Sequence, residues 1–163
     1  TEYNVDDEIL FLEKKFSKAQ EEFLLLPRYR SGEPDDPNSE VNTWCVDALG
    51  NMVDCNSEKL IKRNNPNQPF ILTLKSSNQP VTGIVHSNPN YKGNYSEYAY
   101  KNGLLHGCGF YRRHDGTIQH MWLYENGETI MRKYFDNDDS DNNYVAYYKN
   151  RKQFYSTYKR WGL

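Results

Sequence analysis

The chain has 163 residues, 37% of them hydrophobic and 15% aromatic, with 14 Tyr against 3 Met and a formal net charge of −2. This length bounds it to one domain, or one domain with an appendage, and the near-neutral charge gives no global electrostatic case for nucleic acid or an anionic membrane. No apolar run approaches the ~18–20 residues of a membrane helix, and a core rich in Tyr and poor in aliphatics points to strands, where flat rings stack across the pleat.

Residues 5–26 read as one amphipathic helix. Val5, Ile9, Leu12, Phe16, Ala19, Phe23 and Leu26 step by fours and threes, which keeps them on one stripe. Asn4 is the predicted N-cap, Asp6, Asp7 and Glu8 suit the positive end of the helix dipole, and Pro27 stops the run. Such a rod is roughly 33 Å long. A helix packed on a sheet is the preferred role, with oligomerisation through the 5–26 helix as the rival. Leu10, Phe11, Leu24 and Leu25 widen the stripe beyond a coiled-coil seam.

Residues 27–43 read as a linker of turn formers and charges, so that 1–43 form an N-terminal helix and linker, and 44–163 the β domain. Trp44–Asp47 and Met52–Cys55 read as a hairpin. A three-residue loop would place Cys45 opposite Cys55, within the reach of a disulfide, whereas a one-residue slip would put the two on opposite faces. Cys108 is the third cysteine, and an odd count leaves at least one thiol free or pairing between chains. Asn94-Tyr95-Ser96 is an N-glycosylation sequon with Asn94 as acceptor. No signal peptide is read, and the start at Thr1 fits either a removed one or a trimmed chain. Secreted and intracellular locations stand level.

Residues 56–68 are polar, with Asn64-Asn65-Pro66-Asn67 as a loop. Short strands then follow to the C-terminus, at 69–75, 81–87, 95–101, 106–112, 118–124, 129–135, 143–149 and 152–158. Asn102-Gly103, Asp115-Gly116 and Asn126-Gly127 are turn signals of the kind that joins paired antiparallel strands. On 118–124, alternation places Ile118, His120, Trp122 and Tyr124 on one face and Gln119, Met121 and Leu123 on the other.

A period of 24 residues runs through this region. Tyr100-Lys101-Asn102-Gly103, Tyr124-Glu125-Asn126-Gly127 and Tyr148-Lys149-Asn150-Arg151 share one register, Gly107 aligns with Gly83, and Phe110, Tyr134 and Tyr158 fall in one column. Four imperfect copies cover about residues 72–158, the last with Arg151 in place of the turn glycine.

Tyr100-Lys101-Asn102-Gly103-Leu104-Leu105-His106-Gly107-Cys108-Gly109 resembles the MORN (membrane occupation and recognition nexus) repeat, whose core is an aromatic, a turn glycine and His-Gly-x-Gly. Ser96 and Tyr98 stand where the motif usually opens with Tyr-x-Gly, and the other copies are similar to looser MORN-like variants. The resemblance covers a little over half of the chain. It implies a twisted, elongated antiparallel sheet acting as a scaffold for protein contacts, with lipid binding also proposed for such repeats.

No catalytic signature stands out. His106-Gly107-Cys108 puts a histidine and a thiol on one strand face, with no third residue to orient a base. His86, His106, His114 and His120 lack metal-motif spacing, and Asp136–Asp141 lacks the central Gly and closing Glu of a calcium loop. The tail Lys149–Trp161 interleaves cations and aromatics, and reads as a charge-protected edge strand before it reads as a binder of nucleic acid or lipid.

The expected fold is mostly β, an antiparallel meander of 24-residue hairpin repeats with one long N-terminal helix, forming an open twisted sheet or alternatively a closed barrel. The expected function is a non-enzymatic protein-binding or scaffold module without cofactor or metal. Its contacts are placed at Tyr98, Tyr100, Trp122, Tyr124, Tyr147 and Tyr148, because aromatic rings dominate protein interfaces. The alternative is a secreted β-barrel holding a small apolar or aromatic ligand, with Cys45 and Cys55 bridged.

Overall fold

The structure, a computed structural model, describes residues 4–31, 41–46, 52–53, 59–63, 71–74, 79–87, 91–136 and 143–158. One helix, α1 (Val5–Phe23), is followed by β1 (Arg28–Ser31), β2 (Val41–Val46), β3 (Met52–Val53), β4 (Lys59–Arg63), β5 (Ile71–Leu74), β6 (Gly83–His86), β7 (Tyr95–Lys101), β8 (Leu104–Arg112), β9 (Ile118–Glu125), β10 (Glu128–Tyr134), β11 (Tyr144–Lys149) and β12 (Lys152–Tyr158). Neighbouring strands follow the order β12-β11-β10-β9-β8-β7-β6-β1-β2-β4-β5, with β3 beside β2. From β6 to β12 every pairing is antiparallel and joins consecutive strands, which is the expected meander. The sheet is open and does not close into a barrel, which removes the architecture of the barrel alternative.

The helix begins where its cap was predicted. Asn4 Oδ1 accepts the amides of Asp6 at 2.9 Å and Asp7 at 3.3 Å. It ends at Phe23 rather than Leu26, because Leu24 to Leu26 close in a tighter turn before Pro27. Leu12, Phe16 and Phe23 are buried against the sheet, each contributing on the order of 1.5–3 kcal/mol by removal from water. Under them lie Ile84, Ala99, Cys108, Phe110, Met121, Leu123, Met131, Val145 and Tyr147, drawn from six successive strands. Two polar ties fix the helix further. Glu13 accepts from Lys133 Nζ at 3.0 Å and from the Tyr147 hydroxyl at 2.6 Å, and Lys15 forks onto both oxygens of Glu125.

The period of 24 residues is a period of backbone geometry. Asn102 and Gly103, Asn126 and Gly127, and Asn150 and Arg151 all lie at positive φ, as two-residue hairpin turns of the primed kind require. The turn amide of Gly103 donates to Val81 O and that of Gly127 to Leu105 O, one repeat apart and both at 2.8 Å. After each turn the ladder slips at a bulge, at His106–Gly107 in β8, Ile130 in β10 and Phe154 in β12.

Those bulges correct one alignment. In β8 the residues 106–108 face Ala99 alone, an excess of two that preserves alternation, whereas β10 and β12 each insert one residue and reverse it. Phe110 therefore points to the helix, its ring 5.0 Å from that of Phe23, while Tyr134 points away and meets His120. The two do not share a column. A shift between Tyr111 and Arg112 likewise turns Ile118 toward the core and away from His120.

Two segments outside the expected strands form strands. Residues 28–31 of the expected linker form β1, which lies parallel to β6 and antiparallel to β2. Arg28 explains the placement: its Nη1 donates to Glu97 Oε2 at 2.9 Å and contacts His86 Nε2 at 2.7 Å, while Arg112 Nε donates to Glu97 Oε1 at 2.5 Å. Within the polar stretch 56–68, to which no strand was assigned, Lys59–Arg63 form β4 between β2 and β5. Cys45 pairs with Val53 rather than Cys55, a register two residues from the one expected; Cys55 itself lies outside the described residues. The sheet face covered by α1 is thus the core, and the opposite face is where the aromatic residues collect.

Candidate functional site

Alternation on β9 sends Met121 and Leu123 into the core and His120, Trp122 and Tyr124 to the opposite face. Their rings stack along the strand. His120 and Trp122 are 5.2 Å apart and 14° from parallel, and Trp122 and Tyr124 are 6.4 Å apart and 20° from parallel. Across β8 the register runs Tyr98, Gly109, Trp122. Because Gly109 has no side chain, the Tyr98 ring crosses it to reach Trp122 at 5.7 Å and Tyr124 at 6.2 Å. A Cβ at Gly109 would stand 2.7 Å from Tyr98 Cδ1 and 2.8 Å from Tyr124 Cε2.

The platform extends beyond these rings. Tyr111 meets His120 edge-on, Tyr134 tilts against it at 5.0 Å, and the Arg132 guanidinium lies 5.9 Å over Tyr144. From β7 to β11 the register places Arg132 on this face and no Asp or Glu, and Arg113, just past β8, adds a second cation beside His120. His120 Nδ1 and Arg132 Nε are buried with no hydrogen-bond partner among the described residues, a condition that favours whatever contact supplies one. Burial, reinforced by Arg132 and Arg113, holds the His120 pKa below its usual value. Burial raises the tyrosines: Tyr100 is pushed up to about 12 with a contribution from Tyr98, and Tyr98 and Tyr124 also rise. Tyr98, Tyr100 and Tyr124 are therefore neutral at physiological pH.

Of the six residues expected to make contacts, the fold brings Tyr98, Trp122 and Tyr124 together, with Tyr100 at their margin packed toward Val81 and Leu72. Tyr148 alternates onto the same side and lines a shallow cavity of about 330 Å³ with Thr129 and Arg151. Tyr147 does not belong to the surface. It is fully buried on the helix side, hydrogen-bonded to Glu13. Tyr111, His120, Arg132, Tyr134 and Tyr144 were not among the expected contacts. The alternation on 118–124 carried the signal for His120, whereas the facing of Arg132 and Tyr134 depends on the bulge at Ile130.

The His-Gly-x-Gly stretch has a structural account at each position. His106 Nδ1 accepts the amide of Asn126 at 3.3 Å, Gly107 takes φ 93° at the bulge, and Gly109 is the gap that Tyr98 crosses. Cys108 is fully buried on the helix side, and burial, then Glu22, pushes its thiol up to about 12. The pair His106 and Cys108 offers no thiolate at neutral pH. Beside His106, between α1 and β8–β10, lies a second cavity of about 290 Å³ with Lys15, Lys18, Lys101 and Glu22 on its walls. Asn94 precedes β7 and its Oδ1 accepts the His114 amide at 3.0 Å. Among the described residues no group of His, Cys, Asp and Glu converges to hold a metal ion, and no helix is long and apolar enough to cross a membrane.

No family model matches the chain, and no curated protein or solved structure matches it either.

Proposed function

We propose that this chain is a non-enzymatic protein-binding or scaffold module built on MORN-like hairpin repeats, and that the face opposite α1 is its contact surface. The observation that carries this reading is the stacked line His120–Trp122–Tyr124, widened by Tyr98 across Gly109, on the sheet face opposite α1, where Trp122, His120 and Tyr98 are half-buried and Tyr124 lies beneath them at 9% exposure. Rigid neutral rings bury area at low cost in conformational entropy, which is why such residues anchor interfaces. The family reading is supported by the recurrence of turn, turn hydrogen bond and bulge every 24 residues. A scaffold role also suits a sheet whose repeats contact only their neighbours.

The test is affinity capture from the native source with the wild-type chain, followed by calorimetric titration of each recovered protein against wild type, Trp122→Ala and Tyr98→Ala. Removing a central ring should weaken a genuine partner by more than about tenfold. Equal affinity for all three chains would remove this face from the role.

A further inference from the structure

Helix α1 has a second apolar stripe that the fold leaves outside. Leu10, Phe11, Leu24 and Leu25 were expected to widen the core-facing stripe, yet they are 54%, 55%, 63% and 86% exposed. Leu10, Lys14, Ser17 and Glu21 step by fours and threes down one line of the helix, with Phe11 and Lys18 alongside, and Leu24 and Leu25 continue the stripe in the tighter turn that closes it. The stripe is apolar at both ends and charged between them, with Lys14 nearer one end and Glu21 nearer the other. Neither Lys14 nor Glu21 has an ion-pair or hydrogen-bond partner among the described residues.

We propose that this stripe is a homodimer interface, on which α1 of a second copy of the chain packs antiparallel about a two-fold axis beside Ser17. In that arrangement Leu10 faces Leu25, Phe11 faces Leu24 and Lys14 faces Glu21, each contact occurring twice as an isologous interface demands. Ser17, the smallest side chain of the stripe, sits at the crossing opposite Lys18 of the second copy, where helix axes approach to about 8–10 Å. The order of charges selects both occupant and direction. A parallel pair would set Lys14 against Lys14 and Glu21 against Glu21, whereas the antiparallel pair turns the same residues into ion pairs. A helix lying on a lipid surface keeps a continuous apolar face; here Lys14, Ser17, Lys18 and Glu21 interrupt it. One helix face per copy is a small interface, so the dimer is weak and reversible. The aromatic face lies on the other side of the sheet and stays clear of it.

Sedimentation equilibrium of the full chain tests this. Wild type should show a concentration-dependent monomer–dimer equilibrium. Lys14→Glu and Glu21→Lys should each weaken it by about tenfold or more through like-charge contact, and the double exchange should restore it to within about threefold of wild type. Leu25→Asp should leave a monomer, and Ser17→Cys should give a reducible cross-linked dimer beyond the wild-type background. All of these side chains are exposed, so thermal melts matching wild type establish that each variant folds. A monomer at every concentration overturns the proposal. So does a dimer indifferent to the single charge changes, or one that the double exchange fails to restore.

Discussion

The backbone amide of Asn126 donates to Nδ1 of His106 at 3.3 Å, and one repeat earlier the amide of Asn102 donates to Oγ1 of Thr82 at 3.0 Å. Two different side chains, 24 positions apart, thus cap the same hairpin turn of the next repeat.

That equivalence makes His106→Thr the conservative change. His106→Ala should cost about 0.5–1 kcal/mol as the turn amide loses its acceptor, and His106→Thr should recover most of it. Nδ1 accepts only from a neutral ring. Burial first, then Lys101, lowers the His106 pKa, and His120 is lowered in the same direction by burial, Arg132 and Arg113. The unfolded chain therefore binds more protons just below the ordinary histidine value of 6.5, and stability is complete above that value and declines as pH falls beneath it. Urea unfolding at about pH 7.5 and about pH 5.5 should show this decline in wild type and a smaller one in His106→Thr. Equal slopes in both chains would contradict the assignment.

Arg151 occupies the turn position held by glycine in the two preceding hairpins, at φ 66°. A left-handed conformation costs a side-chain-bearing residue roughly 1–2 kcal/mol, while its exposed ion pair with Glu128 returns about 0–1 kcal/mol. Arg151→Gly should raise stability by a few tenths to about 1 kcal/mol, and by more in a Glu128→Gln background where there is no pair to lose. A fall in melting temperature in both backgrounds would show that the turn is not strained.

Glu97 is 5% exposed and receives both Arg28 and Arg112. Burial alone would raise its pKa, but the hydrogen bond from Arg112, the fields of His86 and Arg112 and the bond from Arg28 outweigh burial and hold it below the usual value. Glu97→Gln strands two guanidinium groups, one of them nearly as buried, and should cost about 3–5 kcal/mol. A depressed carboxyl stabilises above its unfolded pKa, near 4.5, and that contribution is lost as pH falls below it. Acid titration of Glu97→Gln should lack this loss. A wild-type acid transition unchanged by the substitution would sink the argument.

Gly109→Ala adds a methyl where two tyrosine rings already pass within 3 Å. The expected cost is about 1–3 kcal/mol of overpacking, together with an altered near-ultraviolet signal from Trp122 as Tyr98 and Tyr124 move aside. An unchanged spectrum and unchanged stability would mean that Tyr98 does not cross Gly109.

Within the repeats, sequence and structure agree closely. Strands 95–101 and 152–158 have the expected bounds, because the Asn-Gly turns and two-residue alternation that define them act within a few residues. The same locality explains the Asn4 cap. For the contact surface, alternation was enough to group His120, Trp122 and Tyr124, but Tyr147, two strands away, was misplaced because a strand with apolar residues on both faces does not announce which one the helix will cover.

Composition, the 24-residue period and local turn chemistry therefore determined a mostly β meander with an amphipathic helix in front. Tertiary structure decided what depends on long-range partners: β1 beside β6, where Arg28 finds Glu97 across 69 positions; the bulges that turn Phe110 inward and Tyr134 outward; and the outward stripe of α1. The steps of four and three had already grouped Leu12, Phe16 and Phe23 on one stripe, because helical spacing is local. Only the packed structure shows that Leu10, Phe11, Leu24 and Leu25 do not join them but stay in water.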